Sequence, residues 1–143
     1  MDELEIRPIK NKRELEHVIE IRKQVFVKGQ DVPLDLEVDG LDTKADHMIV
    51  YFNDLPIGCA RIRTNDDIAK LERIAILEEY RNRGFGKQLT RCLINYCKNK
   101  DYKEIYMHSQ TYVSDFYKKF GFRKQGKTFL EAGIKHVEMY MKI

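Results

Sequence analysis

The chain has 143 residues, with 26 Lys and Arg against 23 Asp and Glu, and a formal net charge of +3. This length fits one domain with a substantial core, so we expect a single domain over residues 1–143. The small net charge argues against a nucleic-acid-binding protein, and no apolar run is long enough for a transmembrane helix. The acidic N-terminal residues show no signal-peptide pattern, and three cysteines without metal-ligand or disulfide spacing are typical of a reducing compartment. These features predict a cytoplasmic protein with no metal, membrane or nucleic-acid partner.

The first half of the chain predicts one helix among short strands. Asn11 followed by Glu14 resembles a capping box, and apolar residues then recur at helical spacing to about Val27. Residues 29–46 are acidic and irregular, and a loop of that length is usually functional or partly helical. The predicted strands of this half are residues 4–9, 47–52, 57–63 and 68–76, the second and third forming a hairpin.

The second half predicts two helices and three strands. The helices run from about Gly84 to Lys98 and from Ser114 to Phe120, and the strands cover residues 104–108, 122–130 and 135–142. The order β-α-loop-β-β-β-α-β-α-β-β predicts an α/β protein with a mixed sheet and helices on both faces.

The segment Arg-Asn-Arg-Gly-Phe-Gly-Lys, residues 81–87, joins a predicted strand to a predicted helix. Its glycines allow a sharp turn, and the helix start offers free N–H groups and the positive end of a dipole. Arg81, Arg83 and Lys87 add charge suited to phosphate oxygens. Because the spacing matches neither a nucleotide P-loop nor a dinucleotide-binding loop, we predict another pyrophosphate-bearing ligand. The alternative is a tight connection flanked by exposed basic residues.

A second motif, Phe-Tyr-Lys-Lys-Phe-Gly-Phe, occupies residues 116–122. Together the two motifs resemble the GNAT superfamily of acetyl-CoA-dependent N-acetyltransferases, which pairs an R/Q-x-x-G-x-G/A loop with a downstream F-Y-x-k-x-G-F. The resemblance covers essentially the whole chain. It implies a mixed, mostly antiparallel sheet of six to seven strands, with a V-shaped split between strands 4 and 5.

Other residues resemble a narrower branch, the small bacterial ElaA/YjcF-like proteins. They include Val25-Phe26-Val27, Gln30, Val32-Pro33, Glu37, Asp39, Asp42, Ala45, His47, Ala60-Arg61-Ile62, Gln110, Gly133-Ile134 and His136. Gly29 departs from this pattern, because the branch usually carries Glu at that position.

The resemblance implies which residues bind acetyl-CoA. The pyrophosphate would lie on the loop amides, and pantetheine would pair with the preceding strand as an added strand. The implied cofactor-binding residues are Ile74, Ala75, Ile76, Arg81, Asn82, Arg83, Gly84, Phe85, Gly86, Lys87, Gln110, Phe116 and Lys119.

Acetyl transfer to an amine needs a neutral nucleophile and a proton for the departing thiolate. By resemblance, Tyr117 is the candidate acid and Glu72 the candidate base, with a backbone N–H near Ile74 for the oxyanion. Each side chain has a structural alternative: Tyr117 could be a core aromatic, and Glu72 could pair with Arg61 or Arg73. A chain of waters could also take the proton from the amine.

The acceptor side is defined by fewer residues. His47, His136 and Asp39 are candidate substrate residues, and we expect the two histidines to lie close together; His108 is a further candidate. The alternatives are that the histidines are structural and that the acidic segment around Asp39 is merely solvated.

These features predict an N-acetyltransferase that moves the acetyl group of acetyl-CoA to a primary amine by direct attack on the thioester. The alternative is a non-catalytic acyl-CoA-binding sensor or partner module on the same fold. We expect a monomer or a homodimer. The sequence leaves the identity of the amine open.

Overall fold

The computed structural model describes residues 2–143, and its centre is a seven-stranded sheet. The strands are β1 Leu4–Pro8, β2 Asp46–Phe52, β3 Leu55–Asn65, β4 Ile68–Ile76, β5 Glu104–Gln110, β6 Arg123–Glu131 and β7 Ile134–Lys142. Their order in the sheet is β1-β2-β3-β4-β5-β7-β6. The β4–β5 pair is parallel and the other neighbouring pairs are antiparallel.

Four α-helices accompany the sheet: α1 Lys12–Arg22, α2 Leu34–Glu37, α3 Phe85–Asn99 and α4 Ser114–Lys118. The chain leaves α1 through a π-helical stretch, Lys23–Lys28, so the predicted helix has about the right extent but changes type before its end. The acidic segment, residues 29–46, is predicted to be functional or partly helical. It is partly helical, because it contains α2 and the 3-10 turn Asp42–Lys44.

The start of α1 corrects one detail of the predicted capping box. The Asn11 side chain does cap the helix, since its Oδ1 accepts a hydrogen bond from the Glu14 amide at 2.9 Å. The Glu14 carboxylate, however, does not return to Asn11. It accepts from the Lys10 amide, from Arg7 and from the Tyr51 hydroxyl instead, because the adjoining strands present stronger donors.

Apolar residues pack on both faces of the sheet, which confirms the predicted layering. On one face α1 contributes Val18 and Ile21 to a cluster that includes Ile49 and Cys59. On the other face α3 supplies its buried apolar stripe to the larger cluster, which contains Leu89, Leu93, Cys97, Ile62, Leu71 and Ile105. No helix within residues 2–143 combines the length and the apolarity that a bilayer crossing needs.

Strands β4 and β5 separate part-way along their length, as the predicted split requires. Their pairing covers only residues 68–71 of β4 and 104–107 of β5. Beyond this point β4 continues along β3, and β5 continues along β7. A β-bulge interrupts the β3–β4 ladder in the same region, and Arg73 has a φ of 55° there. The result is a cleft that opens toward the C-terminal ends of both strands.

Candidate active site

The connection from β4 to α3 forms one end of the cleft. Asn82 and Gly84 adopt left-handed backbone conformations, with φ of 64° and 83°. The open space around Gly84 means that its backbone angle, and not crowding, favours glycine there. Helix α3 begins at Phe85, so the first amides of the helix, those of Phe85, Gly86 and Lys87, have no carbonyl of the preceding turn to bond. These donors make a suitable anion site.

Two arginines of this connection are held by the protein itself. Arg81 Nε donates to the Ile76 carbonyl at 2.9 Å. The Arg83 guanidinium lies 5.4 Å from the centre of the Tyr80 ring and 5.9 Å from that of Phe52. Both residues remain exposed, as does Lys87. The main chain of Ile76 is predicted to pair with pantetheine, and in this structure its carbonyl already has an internal partner.

The two sequence motifs meet in space. A Cβ added to Gly86 would lie 3.9 Å from Cζ of Phe116 on α4. Phe116 in turn packs edge-to-face on Tyr117, with ring centres 5.1 Å apart. Lys119 is exposed just beyond α4. The start of α3 and helix α4 are therefore in contact.

Tyr117 is nearly buried, with 8% of its surface exposed. Its ring also packs edge-to-face on Phe122, with centres 6.1 Å apart. Burial raises the pKa of the phenol above its ordinary value, with a smaller contribution from Tyr112. The side chain is thus both a core aromatic and an acid that keeps its proton until a strong base forms beside it.

Glu72 is surrounded by cations. Its Oε1 accepts from Nε and Nη2 of Arg61 at 3.2 and 3.0 Å and also from Arg63, while Lys70 Nζ lies 3.2 Å from Oε2. Burial opposes ionisation of the carboxyl, but the Arg63 hydrogen bond and the charges of Lys70 and Arg61 outweigh it and lower the pKa to about 2. The predicted pairing with Arg61 is therefore present, and a carboxylate with this pKa is a weak base.

Three carboxylates of the acidic segment, Glu37, Asp39 and Asp42, bond to buried arginines. Asp39 accepts two hydrogen bonds from Arg61, both at 2.8 Å. Asp42 accepts from Arg22 at 2.6 Å and from Arg61 at 3.0 Å, and Glu37 pairs with Arg22. Neither predicted alternative describes this arrangement, because the segment is not merely solvated and its carboxylates already have internal cations. The Asp39 carboxylate is therefore already paired with Arg61.

The two candidate histidines lie far apart, so the expectation that they are neighbours is wrong. His47 is on β2 and His136 on β7, and three strands and the β4–β5 split lie between them. His47 is buried beneath the acidic segment, where its Nε2 donates to the Asp42 carbonyl at 2.9 Å. His136 lies opposite Gln110 of β5, beside the cleft.

Gln110 makes a reciprocal amide pair with Gln30, which follows the π-helical stretch. Gln110 Nε2 donates to Gln30 Oε1 at 2.9 Å, and Gln30 Nε2 donates back at 3.3 Å. This pair spans the mouth of the cleft. A cavity of about 350 Å³ adjoins it and is lined by residues that include Gln24, Leu77, Arg81 and Tyr112. A second hollow, of about 400 Å³, lies at the β1–β2 edge and contains no residue of the predicted site.

Comparison with known proteins identifies the family. Residues 15–143 match the family model described as the acetyltransferase (GNAT) domain. The chain belongs to the GNAT acetyltransferase family. The match confirms the predicted family and the acyltransferase class that goes with it.

Individual GNAT relatives agree with the predicted branch. YjcF of Bacillus subtilis (strain 168), described as an uncharacterized N-acetyltransferase, is 37% identical over 131 residues, which is 91% of this chain and 94% of YjcF. The crystal structure of Escherichia coli ElaA superimposes with a TM-score of 0.86 at 26% identity, covering 98% of this chain and 99% of ElaA. A GNAT acetyltransferase from Elizabethkingia anophelis, solved with acetyl-CoA bound, has the same fold, with a TM-score of 0.72 at 22% identity over 98% of each chain.

Two residues of this GNAT protein that matter for the site escaped the sequence interpretation. Arg22 follows the apolar stripe of α1, and Arg61 was noted only in the branch pattern and as a partner for Glu72, yet both are almost completely buried. A signal was available: three carboxylates within six residues, at positions 37, 39 and 42, need cations if the segment packs on the sheet. Among residues 2–143, no group of three or more His, Cys, Asp or Glu side chains could hold a metal ion.

Proposed function

We propose that this protein transfers the acetyl group of acetyl-CoA to a primary amine by direct attack of the amine on the thioester. The observation that carries the proposal is the meeting of the two motifs at the β4–β5 split. Gly86 in the first turn of α3 lies next to Phe116, and the Phe116 ring packs against that of Tyr117. The bound acetyl-CoA of the Elizabethkingia anophelis structure, which has the same fold, supports this choice of co-substrate.

For the cofactor, we propose that the pyrophosphate binds the amides of residues 85–87, with Arg81, Arg83 and Lys87 nearby. Pantetheine would run along the edge of β4 beyond Leu71, where β5 has separated from it. Main-chain bonds at such an edge give affinity without requiring particular side chains. Arg81 would then release the Ile76 carbonyl or share it with the incoming ligand.

For the chemistry, the amine nitrogen forms a bond to the thioester carbon, and the carbon–sulfur bond breaks. The CoA thiolate takes the proton of Tyr117, whose raised pKa keeps that proton available until the thiolate appears. A backbone N–H near Ile74 in the bulged part of β4 would meet the negative charge on the thioester oxygen.

For the base, His136 fits better than Glu72. The carbonyl of Ile134 can only accept a hydrogen bond, so at 2.7 Å it holds the proton of the neutral imidazole on Nδ1. The lone pair is then on Nε2, and the residue lies directly opposite Gln110 of β5. Glu72 is already bonded to three cations and binds a proton weakly.

The test is release of free CoA from acetyl-CoA by the purified protein with a panel of primary amines. We expect acetyl-CoA to raise the melting temperature and at least one amine to release CoA. Binding without release from any amine would favour the non-catalytic acyl-CoA module, and no binding would end the proposal.

We also propose a cytoplasmic location, supported by three free cysteines in the described chain.

A further inference from the structure

The sheet face formed by β5, β7 and β6 carries polar and aromatic side chains next to the cleft. His108 lies opposite Glu138, and His136 lies opposite Gln110 on one side and Phe129 on the other. Directly opposite residues of antiparallel strands point to the same face of a sheet. Gln110 reaches Gln30 from this face, so these side chains continue the wall of the cleft on the α1 side.

Two carboxylates on this face differ from the other carboxylates of the cleft. Glu131 Oε1 lies 2.9 Å from His108 Nδ1, and Glu138 Oε1 lies 3.5 Å from His108 Nε2. Within residues 2–143, neither carboxylate has a Lys or Arg at ion-pair distance. By contrast, the carboxylates of the charge network, Glu37, Asp39, Asp42 and Glu72, each bond to arginine. The side chains of Glu131 and Glu138 are 46% and 34% exposed, so an outside cation can reach them.

A nearly buried histidine side chain points toward the same carboxylates. His136 is 6% exposed, and its Nδ1 is occupied by the Ile134 carbonyl. Its Nε2 lies 3.7 Å from Glu131 Oε2, beyond hydrogen-bond distance, and has no other partner in the described part of the chain. A ligand with N–H groups could donate to this nitrogen, because Nδ1 carries the proton and Nε2 the lone pair.

We propose that this face binds the acceptor and that the acceptor carries a second positive charge besides the reacting amine. The inference rests on the proposed acetyltransferase function. The reacting amine must be neutral when it attacks, so the two carboxylates suit a different, positively charged group of the acceptor. Glu138 lies one two-residue step along β7 from the proposed base His136, or roughly 7 Å. Glu131 links the two positions, because its carboxylate lies 2.9 Å from His108 Nδ1 and 3.7 Å from His136 Nε2.

This separation defines the class of acceptor. An extended chain of about four or five carbons between two amines spans roughly that distance. The half-buried ring of Phe129, whose centre lies 5.0 Å from that of the His108 ring, offers apolar surface for the methylene groups between the two amines. The acceptor class is therefore small aliphatic diamines and polyamines.

The experiment compares 1,4-diaminobutane with butylamine, which has the same carbon chain and one amine. Initial rates of CoA release give kcat and KM for the wild type, for the double variant Glu131→Gln/Glu138→Gln and for the control Glu16→Gln, an exposed carboxylate on α1. We expect the diamine KM to be at least about tenfold below that of butylamine. The double variant should raise the diamine KM by about tenfold or more, with a much smaller effect on butylamine, and the control should change neither.

A second measurement separates this inference from the proposed function. Calorimetry of 1,4-diaminobutane, with and without CoA, measures acceptor binding without turnover. Equal KM values for the two amines, or unchanged diamine binding in the double variant, would overturn the inference that the acceptor carries a second positive charge. Acetyl-CoA binding and butylamine turnover would still support the acetyltransferase function. If no amine is acetylated, the proposed function fails, and loss of diamine binding in the double variant still decides the inference. Melting curves of the double and single variants confirm that each is folded.

Discussion

Arg61 donates to Oε1 of Glu72 through two of its nitrogens, and the same guanidinium holds Asp39 and Asp42. Arg61 is fully buried, so its charge requires these partners. Glu72 is therefore part of a charge network that ties the acidic segment to β3 and β4. We infer that its main role is to neutralise Arg61, and that the proton of the acceptor amine goes elsewhere.

The first prediction concerns the pH dependence of acetyl transfer. Glu72 has a pKa of about 2, so it stays ionised over the whole range in which an amine acetyltransferase is assayed. We expect Glu72→Gln to leave the midpoint of any acid limb of kcat/KM in place, while thermal stability falls because Arg61 and Arg63 lose a partner. His136→Gln should lower kcat, because the proposed base is lost, with much less effect on acetyl-CoA affinity. An acid limb that disappears in the Glu72 variant would restore Glu72 as the base.

The second prediction tests the anion site at the start of α3. Gly86→Glu should abolish the thermal stabilisation by acetyl-CoA, because a side chain and a negative charge would both enter the proposed pyrophosphate site. In the wild type, ligand at a hundred times its Kd should add roughly 2.7 kcal/mol of stability. Asn95→Glu adds the same charge at an exposed position farther along α3 and should preserve the shift. Normal binding by the Gly86 variant would move the site elsewhere.

The third prediction concerns the acid. Tyr117→Phe should keep acetyl-CoA affinity but lower kcat, since loss of a general acid typically costs about 10²–10⁴-fold. The control is Tyr96→Phe, which removes a hydroxyl that donates to Asp46 at 2.7 Å, away from both motifs. An unchanged kcat in the Tyr117 variant, measured by steady-state CoA release, would mean that the thiolate leaves unaided or is protonated by water.

The strand and helix order followed from local patterns, because periodicity and turn residues act within a few positions of the chain. The Gly84–Gly86 loop could be predicted for the same reason, since it is continuous in sequence. The V-shaped split came from family resemblance. The structure shows its physical basis: beyond the split, β4 continues to pair with β3, and β5 continues to pair with β7.

Contacts between distant segments could not be predicted in this way. The Gln30–Gln110 pair joins residues 80 positions apart, and nothing local in either sequence indicates it. The charge network has the same character, because the partner of each carboxylate depends on how residues 34–44 pack against the sheet. The separation of His47 and His136 followed from strand order, which the pattern of residues within each strand does not encode.

The fourth prediction tests the buried network through Arg22, which is 1% exposed and bonds to Glu37 and Asp42. Arg22→Met keeps the volume but leaves two carboxylates without this cation. Breaking a buried ion pair in this way typically costs about 3–5 kcal/mol. We expect a loss of that size in the free energy of unfolding, measured by urea titration. Arg13→Met, at an exposed position of α1, should stay close to wild type, and a small effect at Arg22 would show that water reaches the network.

The last prediction concerns stability in acid and rests on Glu14. The hydrogen bond from Arg7 lowers the pKa of this carboxyl against the effect of burial, and with bonds from Tyr51 and the Lys10 amide brings it from an ordinary 4.5 to about 2. Above pH 4.5 the carboxyl is ionised in both states and its stabilisation is complete. As the pH falls from 4.5 toward 2, the unfolded chain takes up the proton first, so the free energy of unfolding declines.

Glu14→Gln should lose this contribution already at neutral pH and show a shallower decline in that window. The measurement is urea unfolding at a series of pH values. Glu72 has a similarly lowered pKa, so the variant should retain part of the decline. Glu16→Gln on the exposed side of the same helix serves as the control and should follow the wild type. If the Glu14 variant instead runs parallel to the wild type at every pH, the ion pair with Arg7 does not bias the protonation of Glu14 in solution.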